Sequence, residues 1–264
     1  MTDKDLTFFK TWFTDYTRSF LDTAAEEKKN FELKMEHSLH VAANIVEIAG
    51  SLKLDRDTVL LAETIGLFHD IGRFPQYEKY KTFQDRKSTN HGLLGTQVLL
   101  KENVLNALPE IEQDLILRVV KFHSAYTIPH IFDEQSIFFL KMVRDADKVD
   151  IYRVFIDYYE SPKEERASAT AFGVPDTPEY SKAMLQCVLE KRIASYLNIK
   201  TEHDFQLMQL SWIYDLNFTE SIRLLQSKKY INKLINKLPQ TEEIQSAVSK
   251  LQHHVSQKLD GQQP

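Results

Sequence analysis

Residues 60–70, LLAETIGLFHD, read as the end of a strongly apolar helix that closes on the adjacent pair His69–Asp70, just before Gly72. The partial negative charge at a helix C-terminus favours a nearby cation, and an imidazole beside a carboxylate suits a borderline or hard divalent metal. A buried aspartate needs a charged partner in any case. Apolar helices and inward metal donors recur along the chain on both sides of this stretch.

The 264-residue chain has seven glycines and eight prolines, and its apolar residues recur at three- and four-residue spacing, which predicts helices nearly throughout. The first is expected after Thr2 or Asp3, with Phe9, Phe13, Tyr16 and Phe20 on one stripe. A second runs from about Phe31 to Ala49 with Gly50 as its C-cap, and the one holding residues 60–70 starts after Asp55. Between Arg73 and Asn90 the periodicity disappears, and RFPQYEKYKTFQDRKSTN reads as a loop over a site. Helices resume with HGLLGTQVLL (91–100), with EIEQDLILRVVKFH (110–123) opened by Pro109, and with a long helix from about Ser136 to Tyr159.

The polar, turn-rich residues 160–178 read as a link, Thr177–Pro178 as the next helix start, and residues 179–258 as three or four amphipathic helices before a fraying DGQQP end. The expected organisation is all-α. A first helix (1–30) packs on a metal-binding core (31–160), and a C-terminal helical region (161–264) belongs to the same compact unit. The first helix and the C-terminal helices either cover the core or pair subunits in a homodimer.

A formal net charge of -5 excludes the broad basic surface that binding to extended nucleic acid requires, while leaving room for a local basic cluster that meets a small anion. The single cysteine, Cys187, rules out an internal disulfide. The opening MTDKDLTFFKTWF alternates charge with aromatics instead of offering a basic segment followed by an apolar run, so no secretory leader is expected, and no apolar stretch is long enough to span a bilayer. A cytoplasmic protein without a membrane partner is expected.

Helical spacing sorts the nine histidines. His37 shares a face with Leu33, Val41, Asn44 and Ile48, whereas His40 falls on a mostly polar one with Glu36, Ala43 and Glu47. His91 opens a helix, and His123 lies with Ile116 and Val119 on an inner face. In MVRDADKVD, Asp147 aligns with Leu140, Val143, Ile151 and Val154, and Asp145 with Lys141, Lys148 and Tyr152, so Asp147 is expected to be the inward carboxylate. His37, His69, Asp70, His91, His123 and Asp147 thus converge from five helices, as in metal sites built inside helical bundles. Burying them without a shared ligand would cost several kcal/mol. His130, His203, His253 and His254 lie in loop-like or polar settings and receive no role.

These residues resemble the HD-domain metal-dependent phosphohydrolases. The resemblance rests on EHSLHVAANIVEIA, LFHDIGRF, NHGLLGTQVLL, VKFHS and VRDADKVD, and spans roughly residues 30–160. It implies an HD-domain helical bundle with additional C-terminal helices, in which His37, His69, Asp70 and Asp147 hold a first divalent ion. His91 and His123 match the positions that hold a second in dinuclear members, with Asp70 bridging the two. One or two ions are therefore expected, and the donors do not distinguish Mn, Fe, Zn, Mg, Ni or Co. The paired acidic motif of the stringent-response hydrolases is missing after HDIG, as are the HHE and GYP signatures of the cyclic-dinucleotide phosphodiesterases.

The expected reaction is hydrolysis of a phosphate ester, a nucleotide or other small phosphorylated metabolite, by metal-activated water, with Asp70 and Arg73 as catalytic residues. Arg73, Arg86, Lys87 and Lys148 are the candidate substrate-binding cations, Arg73 first because its guanidinium suits bidentate phosphate contacts. Lys79, Lys81 and Arg144 are weaker candidates, and Phe74, Tyr77, Tyr80 and Phe83 either stack a nucleobase or pack a lid. Two other readings stay open at this point: a dinuclear iron oxygenase of the same ligand order, and a regulatory module that senses nucleotides.

Overall fold

The computed structural model of the chain describes residues 1–169 and 174–261. The parts of the expected link at 170–173 and of the fraying end at 262–264 lie outside the described residues. Among those described there is no strand, and the fold is all-α.

Helices begin where a side chain can take up a free backbone N–H. Thr2 forms a capping box with Asp5 and opens α1 (Asp3–Arg18). Asp55 accepts from the Thr58 N–H and opens α3 (Arg56–Phe68), and Asn90 does the same for Leu93 at the head of α5 (His91–Lys101). Pro109 precedes α6 (Glu110–Phe122). Between these lie α2 (Ala25–Ser51) and α4 (Arg73–Tyr80), and α7 (Glu134–Glu160) follows.

Several expectations need correction. α2 starts six residues before Phe31 and runs through Gly50, its C-cap being Leu52. Residues 73–80 are a helix, α4, and not loop. Pro75 falls in the first turn, where its missing N–H is no loss, so it does not break the helix. Lys81, left-handed at φ 54°, ends it, and irregular backbone continues to Asn90 around one short turn of 3₁₀ helix at Asp85–Lys87.

The chain divides into two compact units, Met1–Ile151 with Ser161–Thr170, and Tyr152–Glu160 with Ala171–Pro264. In the first, α2 and α3 share an extensive contact. A Cβ on Gly66 would come within 3.0 Å of both Ala42 Cα and Ile45 Cγ2, so the absence of a side chain lets the two helices approach. Gly72, in the turn after the His69–Asp70 pair, is tighter still against α5, and Gly92 of α5 sits against the Lys121 and Val120 carbonyls of α6. Phe9 packs on Phe68 (5.5 Å between ring centroids) and Phe13 on Phe74 (6.4 Å), which lays α1 over α3 and α4.

The second unit holds α8 (Lys182–Leu189), α9 (Glu202–Ser211), α10 (Thr219–Ser227), α11 (Tyr230–Ile235) and α12 (Glu242–Asp260). Five helices thus stand where three or four were expected. Lys229, left-handed at φ 57°, divides one periodic run into α10 and α11. α8 begins after Ser181 and not at Thr177–Pro178, because buried Asp204 takes both the N–H and the hydroxyl of Ser181 (2.6 and 2.7 Å). The Tyr152 hydroxyl donates to the Gln209 carbonyl, and Phe155 packs on Phe205 with ring centroids 4.3 Å apart.

Candidate metal centre

All the candidate donors belong to the first unit. Two of the four histidines cap helix ends, His69 after α3 and His123 after α6. The last carbonyls of a helix have no intrahelical partner. His69 Nδ1–H therefore donates to the Gly66 carbonyl and His123 Nδ1–H to that of Val120, each at 2.7 Å. The other two histidines donate to carboxylates, His37 Nδ1 to Asp150 (2.7 Å) and His91 Nδ1 to Asp85 (2.7 and 2.9 Å). Since carbonyls and carboxylates only accept, every Nδ1 carries the hydrogen, and every Nε2 is left to present its lone pair inward.

The four Nε2 atoms meet in two pairs, His37 with His69 at 3.3 Å and His91 with His123 at 3.0 Å. Two imidazole lone pairs at such distances repel unless a cation or a proton lies between them. Asp70 joins the pairs. Its Oδ2 lies 3.6 Å from His37 Nε2 and 3.8 Å from His69 Nε2, and its Oδ1 lies 3.3 Å from His91 Nε2 and 3.7 Å from His123 Nε2. Asp147 Oδ1 completes the first pair, 3.1 Å from His37 Nε2 and 3.8 Å from His69 Nε2.

His37–His69–Asp70, His69–His123–Asp147 and Asp70–His91–His123 each bring one donor atom per residue within 4.8 Å of the others. Oriented imidazoles, each backed by a carboxylate or carbonyl and sharing one carboxylate, are the donor chemistry of a divalent-metal site. The cluster is able to hold a divalent metal, and His37, His69, Asp70, His91, His123 and Asp147 are the residues that would do so.

The electrostatics follow from burial. Desolvation pushes His69 down to about 3 and His91, with help from Arg73, down to about 4. His37 goes the other way: burial and Lys34 disfavour its charge, but Asp147 and Asp150 more than offset them and raise it. Burial opposes ionisation of Asp70, yet Lys34 and Arg73 hold it well below the usual carboxylate range. Burial works against the Asp85 carboxylate too, and His91 and Arg73 prevail, drawing it down to about 2. Asp147 is lowered by His37 and His69 in the same way, against its desolvation.

Three polar partners were not singled out by helical spacing. Lys34 Nζ lies 2.7 Å from Asp70 Oδ2. Asp150 and Lys34 stand three residues from Asp147 and His37, so shared helix faces offered a signal for both. Asp85 had none, since only the fold of residues 81–90 carries it to His91. Asp145, expected on a polar face with Tyr152, is as fully buried as Tyr152 itself. The cause is that α7 is enclosed on most sides, so a helical wheel cannot separate an inner from an outer face.

Arg73 reaches the site, with Nε 3.3 Å from Asp70 Oδ1, but its Nη1 is committed to Gln76 Oε1, the Phe83 carbonyl and Asp85 Oδ1 at 2.9, 2.5 and 2.9 Å. It clamps the loop that carries Asp85. Arg86 and Lys87 are exposed on the 3₁₀ turn, and Lys148 is half-buried on α7. Phe74 and Tyr77 are buried in the core, which removes them as stacking surfaces, while Phe83 stays half-buried and Tyr80 exposed. His40 points outward towards Glu36, and His130 is exposed.

The depressed histidines make stability depend on pH. In the unfolded chain a histidine takes up its proton near pH 6.5. His69 and His91 refuse it in the folded state until about 3 and about 4. Over that window the unfolded state binds more protons, so each depressed histidine removes about 1.4 kcal/mol of stability per pH unit as pH falls. His37 acts oppositely, its raised affinity stabilising the fold at low pH, but it is one group against two. The chelator-treated protein is expected to melt at a lower temperature at pH 5 than at pH 7.5. Calorimetry showing a flat or rising melting temperature towards pH 5 would contradict this burial.

No helix among the described residues is long and apolar enough to cross a membrane. No curated protein and no solved structure matches the chain. A family model described as "HD domain" matches residues 35–152, the span that runs from just before His37 on α2, through the His69–Asp70 turn, to just past Asp150 on α7. Residues 35–152 are therefore an HD domain, and the buried His/Asp cluster at its centre fits the metal-binding motif of that family.

Proposed function

We propose that the protein is a metal-dependent phosphohydrolase that acts on a small phosphate ester, of which nucleotides are one class. The observation that carries the reading is the paired arrangement of bare Nε2 atoms, 3.3 and 3.0 Å apart, on the two sides of one shared carboxylate. Divalent ions held there supply Lewis acidity, lowering the pKa of a coordinated water and neutralising charge on phosphoryl oxygens.

The chain's own residues do the rest. Asp70, buried and kept ionised by Lys34 and Arg73, ties the two donor pairs together. Asp150, Asp85 and the Gly66 and Val120 carbonyls fix the tautomer and the aim of each imidazole, so little reorganisation is left for the moment of reaction. Asp147, the least buried of the donors with its side chain 22% exposed, marks the side from which solvent and substrate enter.

The test is metal analysis of protein purified with and without air, followed by assay of the manganese-loaded protein against phosphate esters and nucleotides. Metal bound in excess of one equivalent, with release of inorganic phosphate, is the expected result. Tightly held iron with oxygen uptake and no phosphate release would replace the hydrolase with an oxygenase. Nucleotide binding without turnover by metal-replete protein would make the domain a sensor.

A further inference from the structure

Lys34 stands one helical turn before His37, on the face of α2 that looks into the centre. Its Nζ is 2.7 Å from Asp70 Oδ2, the oxygen on the His37–His69 side, and its side chain is 17% exposed. An ammonium has three N–H donors. One meets Asp70, and among the described residues no other hydrogen-bond acceptor takes the remaining two. The Phe83 ring lies 5.3 Å from this nitrogen and limits how far it can swing.

Arg73 offers the contrast. It lies on the other oxygen of the same carboxylate, but three acceptors consume its Nη1 and tie it to the 83–85 loop. The two N–H groups of Arg73 Nη2 also have no acceptor among the described residues, but the loop contacts of Nη1 fix where they point, whereas Lys34 is hydrogen-bonded by Asp70 alone and can turn its two remaining donors to a ligand.

Charge and geometry point to the class of ligand. An ammonium with two donors left over, beside a carboxylate shared by the donor pairs, suits the anionic oxygens of a phosphoryl group. We propose that Lys34 donates to a phosphoryl oxygen of the substrate. This rests on the hydrolase reading of the site, and its test is chosen to separate the two.

Inorganic phosphate is titrated calorimetrically into manganese-loaded full-length protein, wild type and the variants Lys34→Gln and Lys34→Arg, with bound metal measured in each. Turnover of 4-nitrophenyl phosphate is measured alongside. Losing one charge-assisted hydrogen bond is expected to weaken phosphate binding roughly 10- to 100-fold in Lys34→Gln. Metal content is retained, ester kcat/KM falls with the phosphate affinity, and Lys34→Arg recovers part of the loss.

Unchanged phosphate affinity in metal-replete Lys34→Gln overturns the proposal, as does wild-type protein that binds no phosphate when loaded. Loss of metal from Lys34→Gln overturns it too, because the lysine would then act only by positioning Asp70. Phosphate binding that depends on Lys34, without turnover of any ester, instead sinks the hydrolase reading and leaves the lysine as an anion site.

Discussion

Asp70→Asn is expected to empty both halves of the metal centre and to slow ester hydrolysis by about three orders of magnitude or more. Loss of an outer partner of a metal ligand typically costs ~10- to 100-fold. Asp70 is within 3.8 Å of all four Nε2 atoms, so its charge is felt by each of these imidazoles. An amide keeps the side chain's size but offers one oxygen in place of two and no charge. The fold should survive, because the packing around residue 70 is unchanged, although Lys34 and Arg73 lose their shared counter-ion. Elemental analysis and steady-state kinetics on the folded variant decide the matter, and near-normal metal content would remove Asp70 from the ligand set.

Among the described glycines, Gly72→Ala should give the largest structural effect. The added Cβ would stand 2.1 Å from the His91 carbonyl oxygen and 2.4 Å from Gly95 N, both backbone atoms that cannot rotate away. α5 would have to retreat from the His69–Asp70 turn, at roughly 3 kcal/mol or more of stability. In a chain of this size that is a drop in melting temperature on the order of 6 to 12 °C. The same retreat carries His91 away from His123 and Asp70, so metal should be lost first from the His91–His123 side. Gly50→Ala is the matched control. A methyl there meets nothing within 4 Å, and it should be neutral or stabilising by roughly 0.5 kcal/mol. Equal melting temperatures for Gly72→Ala and wild type would mean that α5 is not held against the turn as described.

The two effects arise from different kinds of information in the chain. Asp70 is visible to anyone reading residues 60–70, because an apolar helix that ends on a histidine and an aspartate announces a buried charge. Gly72 looks there like a helix stop, and its role as the contact point for α5 becomes visible only when the His91 carbonyl is beside it. The same division runs through the rest of the site. His37, His123 and Asp147 follow from three- and four-residue spacing, His91 opens a helix that Asn90 caps, and Asp55 and Pro109 stand at the starts of the helices that end on His69 and His123.

Spacing failed where the environment is not two-sided. α7 is enclosed on most of its surface, so the wheel that selected Asp147 assigned Asp145 to the wrong side and passed over Asp150, which orients His37. α4 failed for a local reason, a proline that looks like a breaker and stands where helices accept one.

Periodicity, capping and the chemistry of single side chains are properties of neighbours a few residues apart, and they alone determine that this chain is helical and which histidines face inward. The partners that tune those histidines come from contacts over long separations. Asp150 reaches His37 across 113 residues, and Lys34 reaches Asp70 across 36. Asp85 is only six residues from His91, but its contact depends on a loop that Arg73 pins in place. Such contacts depend on how close two helices can come, which is set by volumes and glycines on both of them at once. The tautomers, the sharing of Asp70 and the placing of Lys34 with two unused donors beside it therefore exist only in the folded protein.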